Sequence, residues 1–406
     1  MARQRLVIIG NGMASTKLVE ELLQLDADRF DITVIGAEPR AAYNRVLLSP
    51  LLAGDISKAD LDLKPHAWWA ASNIKLKTDC KVEAIDRETR DVICADGDVL
   101  GYDVLVLATG SQAIRLPKPG MDLTQVTTFR DMEDADALMA AATPGRKMVV
   151  IGGGLLGLEA AYGLARAGAD VTLIHLMDRL MERQLDAHAG QLLKRSMEKL
   201  GICVILNADT ARVIGTEKPQ AVELVDGRTL DADMVVCAVG VRPNTDLARA
   251  SGLTCQRGIC VDDSLASSDP NIFAIGECAE HRGSAYGLVE PAYAQAKILA
   301  ARLMGSSQHS YEGSVLSTNL KVSGVGLFSA GDFIGAPGSE SLVYSDDAAG
   351  TYKKLVIQND RLTGAILYGD HADALWYLDL IRTAAPIDQM RADLIFGPTL
   401  ALPEAA

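Results

Sequence analysis

Six small residues in two clusters carry the first chemical information in this chain. Gly10, Gly12 and Ser15 follow the apolar run Leu6 to Ile9; Gly152, Gly154 and Gly157 follow Met148 to Ile151. Each cluster has a strand-like run before it and a helix-like stretch after it. A pyrophosphate lies only where no bulky side chain stands. The first glycine makes the tight turn out of the strand, the second lets backbone approach the phosphates, and the third lets helix and strand pack closely. The helix start adds unpaired N–H groups and a partial positive charge for the anion. The second cluster has all three glycines. Ser15 departs from the strict pattern but is small enough for close packing. Two such loops in one chain imply two dinucleotides bound side by side, with electrons passing between them.

The residue that ends the next strand is expected to hold a ribose. After the first loop that residue is Glu38; after the second it is His175, with Arg179 shortly beyond. An acid repels a 2′-phosphate and a basic cluster accepts one, so His175 and Arg179 leave NADH against NADPH open.

The elements that must position these residues repeat. Residues 1–112 read as strand, loop, helix (15–25), a strand ending at Glu38, a helix (66–72), strands at 81–86 and 91–95, and an apolar strand running into Ala108 to Ser111. Residues 113–239 repeat the plan, with helices at 155–167 and 186–200 and a late apolar strand ending at Gly240. A strand ending in Gly276 and Glu277, followed by a helix at 291–303, returns residues 240–312 to the first domain. Residues 313–406 carry strands at 320–328, 350–358 and 361–368 and a helix at 372–383, a small α+β domain. The fold class is α/β.

The chain has 406 residues and a formal net charge of −14, which disfavours nucleic acid as a partner. No apolar run is long enough to span a bilayer, and a strand follows the N-terminus almost at once, so a soluble cytoplasmic protein is expected. The seven cysteines form no Cys-x-x-Cys pair. Cys255 and Cys260 read as a strand pair around a turn. The segment Tyr43 to Ser49, where a redox-active disulfide would follow the first loop, holds no sulfur. No cysteine or histidine cluster has metal-ligand spacing, so no metal is expected.

Taken in order, the first loop, Ala108 to Ser111, the second loop with Glu159, Val239 to Asn244, and Ile275 to Glu277 resemble the two-dinucleotide FAD/NAD(P)H oxidoreductases, the pyridine nucleotide-disulfide superfamily, in its rubredoxin and ferredoxin reductase branch. Tyr43 to Ser49, His175 to Asp186 and Leu320 to Asp332 are similar to the N-terminal flavoprotein region of assimilatory nitrite reductase large subunits and to nitrate reductase electron-transfer subunits. The resemblance implies two Rossmann-like domains, as in glutathione reductase, plus the C-terminal domain. It implies FAD contacts at Gly10, Gly12, Glu38, Arg45, Val82 (through backbone), Arg130 and Glu277. Glu277 would hold the ribitol where aspartate is more usual. It assigns Gly152, Gly154, Gly157 and Glu159 to NADH or NADPH, with Glu159 facing the carboxamide. It adds Thr109, Gly110, Gly240 and Gly276 to the cofactor contacts. Branch members often carry a lysine after the residue matching Ser49; here Pro50 stands there, so no lysine–flavin contact is expected.

The implied activity is hydride transfer from NAD(P)H to FAD, with no acid–base residue required, and then electron delivery to a protein. That acceptor would be a ferredoxin, a rubredoxin, another iron–sulfur protein or a nitrate or nitrite reductase catalytic subunit. The chain lacks the cysteines of the iron–sulfur and sirohaem domains that follow this region in the large subunits, so it would not itself reduce nitrite to ammonia. A reductase of another pathway, a small-molecule NAD(P)H oxidase and an NADH-gated interaction module are the alternatives. The C-terminal domain could support a homodimer or partner docking.

Overall fold

The structure, a computed structural model, describes residues 3–306, 309–322 and 325–401. These fall into two compact units. One comprises the described residues among 1–48, 56–113 and 241–314; the other comprises those among 49–55, 114–240 and 315–401. The second unit thus takes in residues 49–55 and holds both the second glycine loop and the C-terminal sheet.

The first unit is built on a five-stranded parallel sheet. Its order is Ile272–Ala274, Val104–Leu107, Gln4–Ile9, Phe30–Ile35 and Lys75–Lys77. Leu6, Ile8, Val34, Leu105 and Val106 are wholly buried. Runs apolar at successive positions, rather than alternating, are what a parallel sheet covered on both faces requires. The helix Met13–Asp26 presents Leu18, Val19 and Leu22 to this core. A small antiparallel sheet of Val82–Asp86, Asp91–Cys94 and Val99–Gly101 belongs to the same unit.

The second unit repeats the parallel architecture in the order Cys203–Ile205, Asp170–Ile174, Lys147–Ile151, Met234–Cys237 and Val126–Thr127. Its helix Leu155–Arg166 buries mostly small residues, Gly157, Ala160, Ala161 and Gly163 among them, which lets it lie close to its neighbours.

The C-terminal segment forms a five-stranded antiparallel sheet: Ser317–Val322, Val325–Gly331, Arg361–Tyr368, Thr351–Gln358 and Glu340–Asp346. Asn359 and Asp360, at φ 51° and 52°, make the two-residue turn between its central strands. Positive φ at both turn positions matches the strand twist, and Asn and Asp tolerate it. The helix Ala374–Thr383 packs on this sheet. Two details differ from the sequence reading. The single strand expected at 320–328 is two strands paired as a hairpin, and its residues 323–324 lie outside the described residues. The strand Glu340–Asp346 was not expected; it is an edge strand with none of its residues buried, so no apolar alternation marks it.

Candidate dinucleotide sites

In the first unit, the parallel strands end at one edge of the sheet, and the edge carries the expected site residues. Gly10 follows Gln4–Ile9 at φ 114°, and a Cβ there would collide with the Ala108 carbonyl. Only glycine satisfies both conditions. Gly12 is different. Its φ of −133° suits any residue, and a Cβ would meet nothing within 4 Å. Protein packing therefore does not explain that glycine, whereas a group lying against the backbone does.

Ser15 is wholly buried. Its hydroxyl accepts from the Gly12 N–H and donates to the Gly12 carbonyl, each at 2.9 Å. Ser15 thus pins the loop from inside. Asn11 Nδ2 donates to the Arg40 carbonyl at 3.0 Å, while its buried Oδ1 has no partner among the described residues.

The other expected contacts each have partners of their own. Glu38 follows Phe30–Ile35; its carboxylate accepts from Tyr43 Oη at 2.9 Å and pairs with Arg45, whose guanidinium also lies 4.9 Å from the Tyr43 ring centre. Thr109 Oγ1 donates to the Asn244 carbonyl at 3.0 Å, Asn244 Nδ2 donates to the Thr109 carbonyl at 2.8 Å, and the Asn244 N–H donates to the Gly110 carbonyl. Gly110 and Gly276 both have positive φ. Gln295, 1% exposed, accepts the Gly276 N–H at 2.7 Å. Ser111 donates to Glu277 at 2.7 Å. Val82 opens the small antiparallel sheet opposite Cys94. Arg130 belongs to the second unit, where its N–H donates to the Asp134 carboxylate at 2.8 Å ahead of the helix Met132–Ala141.

The second unit shows the same division of labour among its glycines. Gly152, at φ 121°, would collide with the Ala238 carbonyl if it carried a Cβ, and Gly157 with the Gly152 carbonyl. Gly154, at φ −83°, would meet nothing within 4 Å. Gly240, at φ 121°, accepts the Ile114 N–H at 2.9 Å through its carbonyl. Both loops thus have a middle glycine with ordinary backbone and open space before it, at a helix N-terminus. A pyrophosphate fits that cradle.

His175 is held by two partners within the second unit. Its Nδ1 accepts from the Gly153 N–H at 3.0 Å and its Nε2 lies 3.0 Å from Glu182. An acceptor at Nδ1 fixes the proton on Nε2 and directs it to the carboxylate. With 9% exposure and both nitrogens engaged, the ring props the glycine loop. Arg179 donates to the Leu185 carbonyl and to Asp178.

Glu159 has one close partner that sequence reasoning did not identify. Ser49 Oγ donates to its carboxylate at 2.5 Å. Glu159 and Gly163 are four apart on one helix face, and Gly163 leaves the space that Leu52 fills. Ser49 and Leu52 in turn share a face of the short helix Leu48–Leu52. No cation pairs with Glu159 among the described residues. Burial pushes its carboxyl up to about 7, against the lowering effect of the Ser49 hydrogen bond.

Residues 4–296 match the family model described as pyridine nucleotide-disulphide oxidoreductase, and residues 317–385 the one described as rubredoxin NAD+ reductase C-terminal domain. The chain is 46% identical over 398 residues to a Bacillus subtilis nitrite reductase [NAD(P)H], covering 98% of this chain and 49% of that protein. It is 42% identical over 395 residues to the B. subtilis assimilatory nitrate reductase electron transfer subunit, covering 97% and 51%. The chain thus spans about half the length of the curated relatives it matches. Among solved structures, a covalent putidaredoxin reductase–putidaredoxin complex aligns with a TM-score of 0.88 at 27% identity, covering all of this chain and 97% of that one. Two glycine loops with open middle positions, parallel sheets beneath them and a family match spanning both lead to one assignment: the chain belongs to the pyridine nucleotide-disulphide oxidoreductases, enzymes that use FAD and a nicotinamide dinucleotide.

Proposed function

We propose that this chain is the flavoprotein part of a nitrate- or nitrite-assimilating reductase, taking reducing equivalents from NAD(P)H and passing them to an iron–sulfur protein or catalytic partner. The observation that carries the reading is the pair of middle glycines, Gly12 and Gly154, each with open space where a side chain would stand. The names of the relatives, a nitrite reductase and an electron transfer subunit, and the redox partner held in the putidaredoxin complex support the choice of acceptor.

When bound, the coenzymes would supply the redox chemistry: hydride from the nicotinamide, accepted by FAD and released onward as single electrons. The protein's part is to hold and orient. Gly10, Gly12, Glu38, Arg45, Val82, Thr109, Gly110, Gly276 and Glu277 would hold FAD. Gly12 backbone and the helix start would face the pyrophosphate. Glu38, fixed by Tyr43 and Arg45, would meet the adenosine ribose. Glu277, held by Ser111, would meet the ribitol. Gly152, Gly154, Gly157 and Gly240 would shape the nicotinamide dinucleotide's site, and Glu159 would meet the carboxamide. Below about pH 7 its carboxyl carries a proton to donate; above, it only accepts. The test is anaerobic: flavin-loaded protein reduced by NADH is mixed with oxidised ferredoxin or rubredoxin. Stoichiometric reduction of the carrier supports the proposal; a carrier that stays oxidised while oxygen is consumed rapidly on readmission favours a small-molecule oxidase.

A further inference from the structure

Among the described residues, one cluster joins three metal-binding side chains. The Cys80 and Cys94 thiols and the Asp96 carboxylate place one ligand atom each within 4.8 Å of one another. Their sequence spacing hides this. Asp91–Cys94 pairs antiparallel with Val82–Asp86, so Cys80, two residues before one strand, comes near Cys94 at the end of the other, fourteen positions on. The Ala95 N–H donates to the Lys81 carbonyl at 2.8 Å and closes the ends.

We infer that Cys80, Cys94 and Asp96 form a binding site for a borderline-soft divalent cation of the zinc class. Two sulfurs and one oxygen suit such an ion, and the fourth position is left to water. Bonds of about 2.3 Å to sulfur and about 2.0 Å to oxygen set ligand atoms under about 4 Å apart in a tetrahedral shell, so atoms already within 4.8 Å need only small shifts. The two thiols are 4% and 2% exposed, whereas Asp96 is at the surface. The ion therefore enters from the Asp96 side and meets a sulfur pair already desolvated. Each thiol releases its proton to solvent as its bond to the metal forms.

The backbone around the site is already fixed. The turn that carries Asp96 is closed by the Cys94 N–H to the Asp98 carbonyl at 2.9 Å and the Gly97 N–H to the Cys94 carbonyl at 3.0 Å. One Asp96 oxygen accepts the Asp98 N–H at 3.0 Å, which orients the carboxylate and leaves its other oxygen for the metal. On the other side the Cys80 N–H donates to the Gly36 carbonyl at 2.9 Å, and the Asp79 N–H to the Glu38 carbonyl at 3.0 Å. The ion would thus tie the hairpin to the segment that presents Glu38.

The test uses flavin-loaded, reduced, chelator-treated protein titrated anaerobically with Cd2+, then with Zn2+ in competition. The expected result is one equivalent bound per chain, with sulfur-to-cadmium charge-transfer absorption. Cys80→Ala and Cys94→Ala should each abolish that band. Asp96→Asn, at an exposed position that leaves the core intact, should weaken binding by at least roughly tenfold, the loss typical even of an outer-shell change. Cys203→Ser, at an exposed thiol elsewhere, should change nothing. Full-strength binding in the folded Asp96→Asn and Cys94→Ala proteins, or a band lost only with Cys203→Ser, would overturn the assignment.

Discussion

Replacing Glu159 with glutamine removes a carboxyl whose one hydrogen-bond partner among the described residues is the Ser49 hydroxyl. Burial raises that carboxyl from an ordinary 4.5 to about 7. Between those values the folded protein holds a proton that the unfolded chain gives up. The stability this contributes is complete below about pH 4.5 and is lost as pH rises through about 7. At 1.36 kcal/mol per tenfold the full loss is about 3 kcal/mol. The rim of the side chain still meets water, and that screening reduces it to about 2 kcal/mol. Glu159→Gln carries no such loss, so its advantage over the parent grows with pH. For a unit of this size about 2 kcal/mol is roughly 4–8 °C in midpoint. The assay is thermal unfolding of the nicotinamide-free protein at pH 5 and pH 8, variant against parent. A protonated-carboxyl infrared band should be present at pH 6, fade by pH 8 and be missing from Glu159→Gln. A midpoint difference that does not change with pH, or no such band at pH 6, would refute the reasoning. Ser49→Ala should push the carboxyl higher still, because the hydrogen bond that favours its charged form is gone.

The glycines separate binding from folding. Gly12→Ala and Gly154→Ala should leave the thermal midpoint of the cofactor-free protein nearly unchanged, while equilibrium dialysis reads at least roughly tenfold weaker binding of FAD and of NAD(P)H respectively, each tenfold being 1.4 kcal/mol. Gly157→Ala forces a Cβ onto the Gly152 carbonyl and should cost about 1–3 kcal/mol of stability, read by denaturant midpoint. His175→Ala should weaken NADH and NADPH alike in a binding titration, because the ring holds the Gly153 loop; a loss confined to NADPH would return His175 to the ribose.

Much of this architecture was legible because it depends on local pattern. Consecutive apolar residues such as Leu6 to Ile9 and Met148 to Ile151 declare strands covered on both faces, and glycines directly after them declare the turn. What was not legible depends on tertiary partners. Glu340–Asp346 is held by its neighbour's backbone and has no buried face to leave a signature. The bonds of Ser15 to Gly12 and of His175 to Gly153 depend on how each loop folds back, which residue type alone does not declare. Ser49 and Glu159 are 110 positions apart, and their contact lies one helical turn from where Leu52 packs on Gly163. Cys80 and Cys94 meet only through strand register.

The most direct measurement is spectral. Purified protein reconstituted with FAD is titrated with NADH and, separately, NADPH in the absence of oxygen. Complete bleaching of the oxidised flavin absorption by about one equivalent of either donor, as a two-electron reduction demands, is the predicted result. A chain that takes up no FAD, or a bound flavin that keeps its oxidised spectrum with both donors in excess, would contradict it.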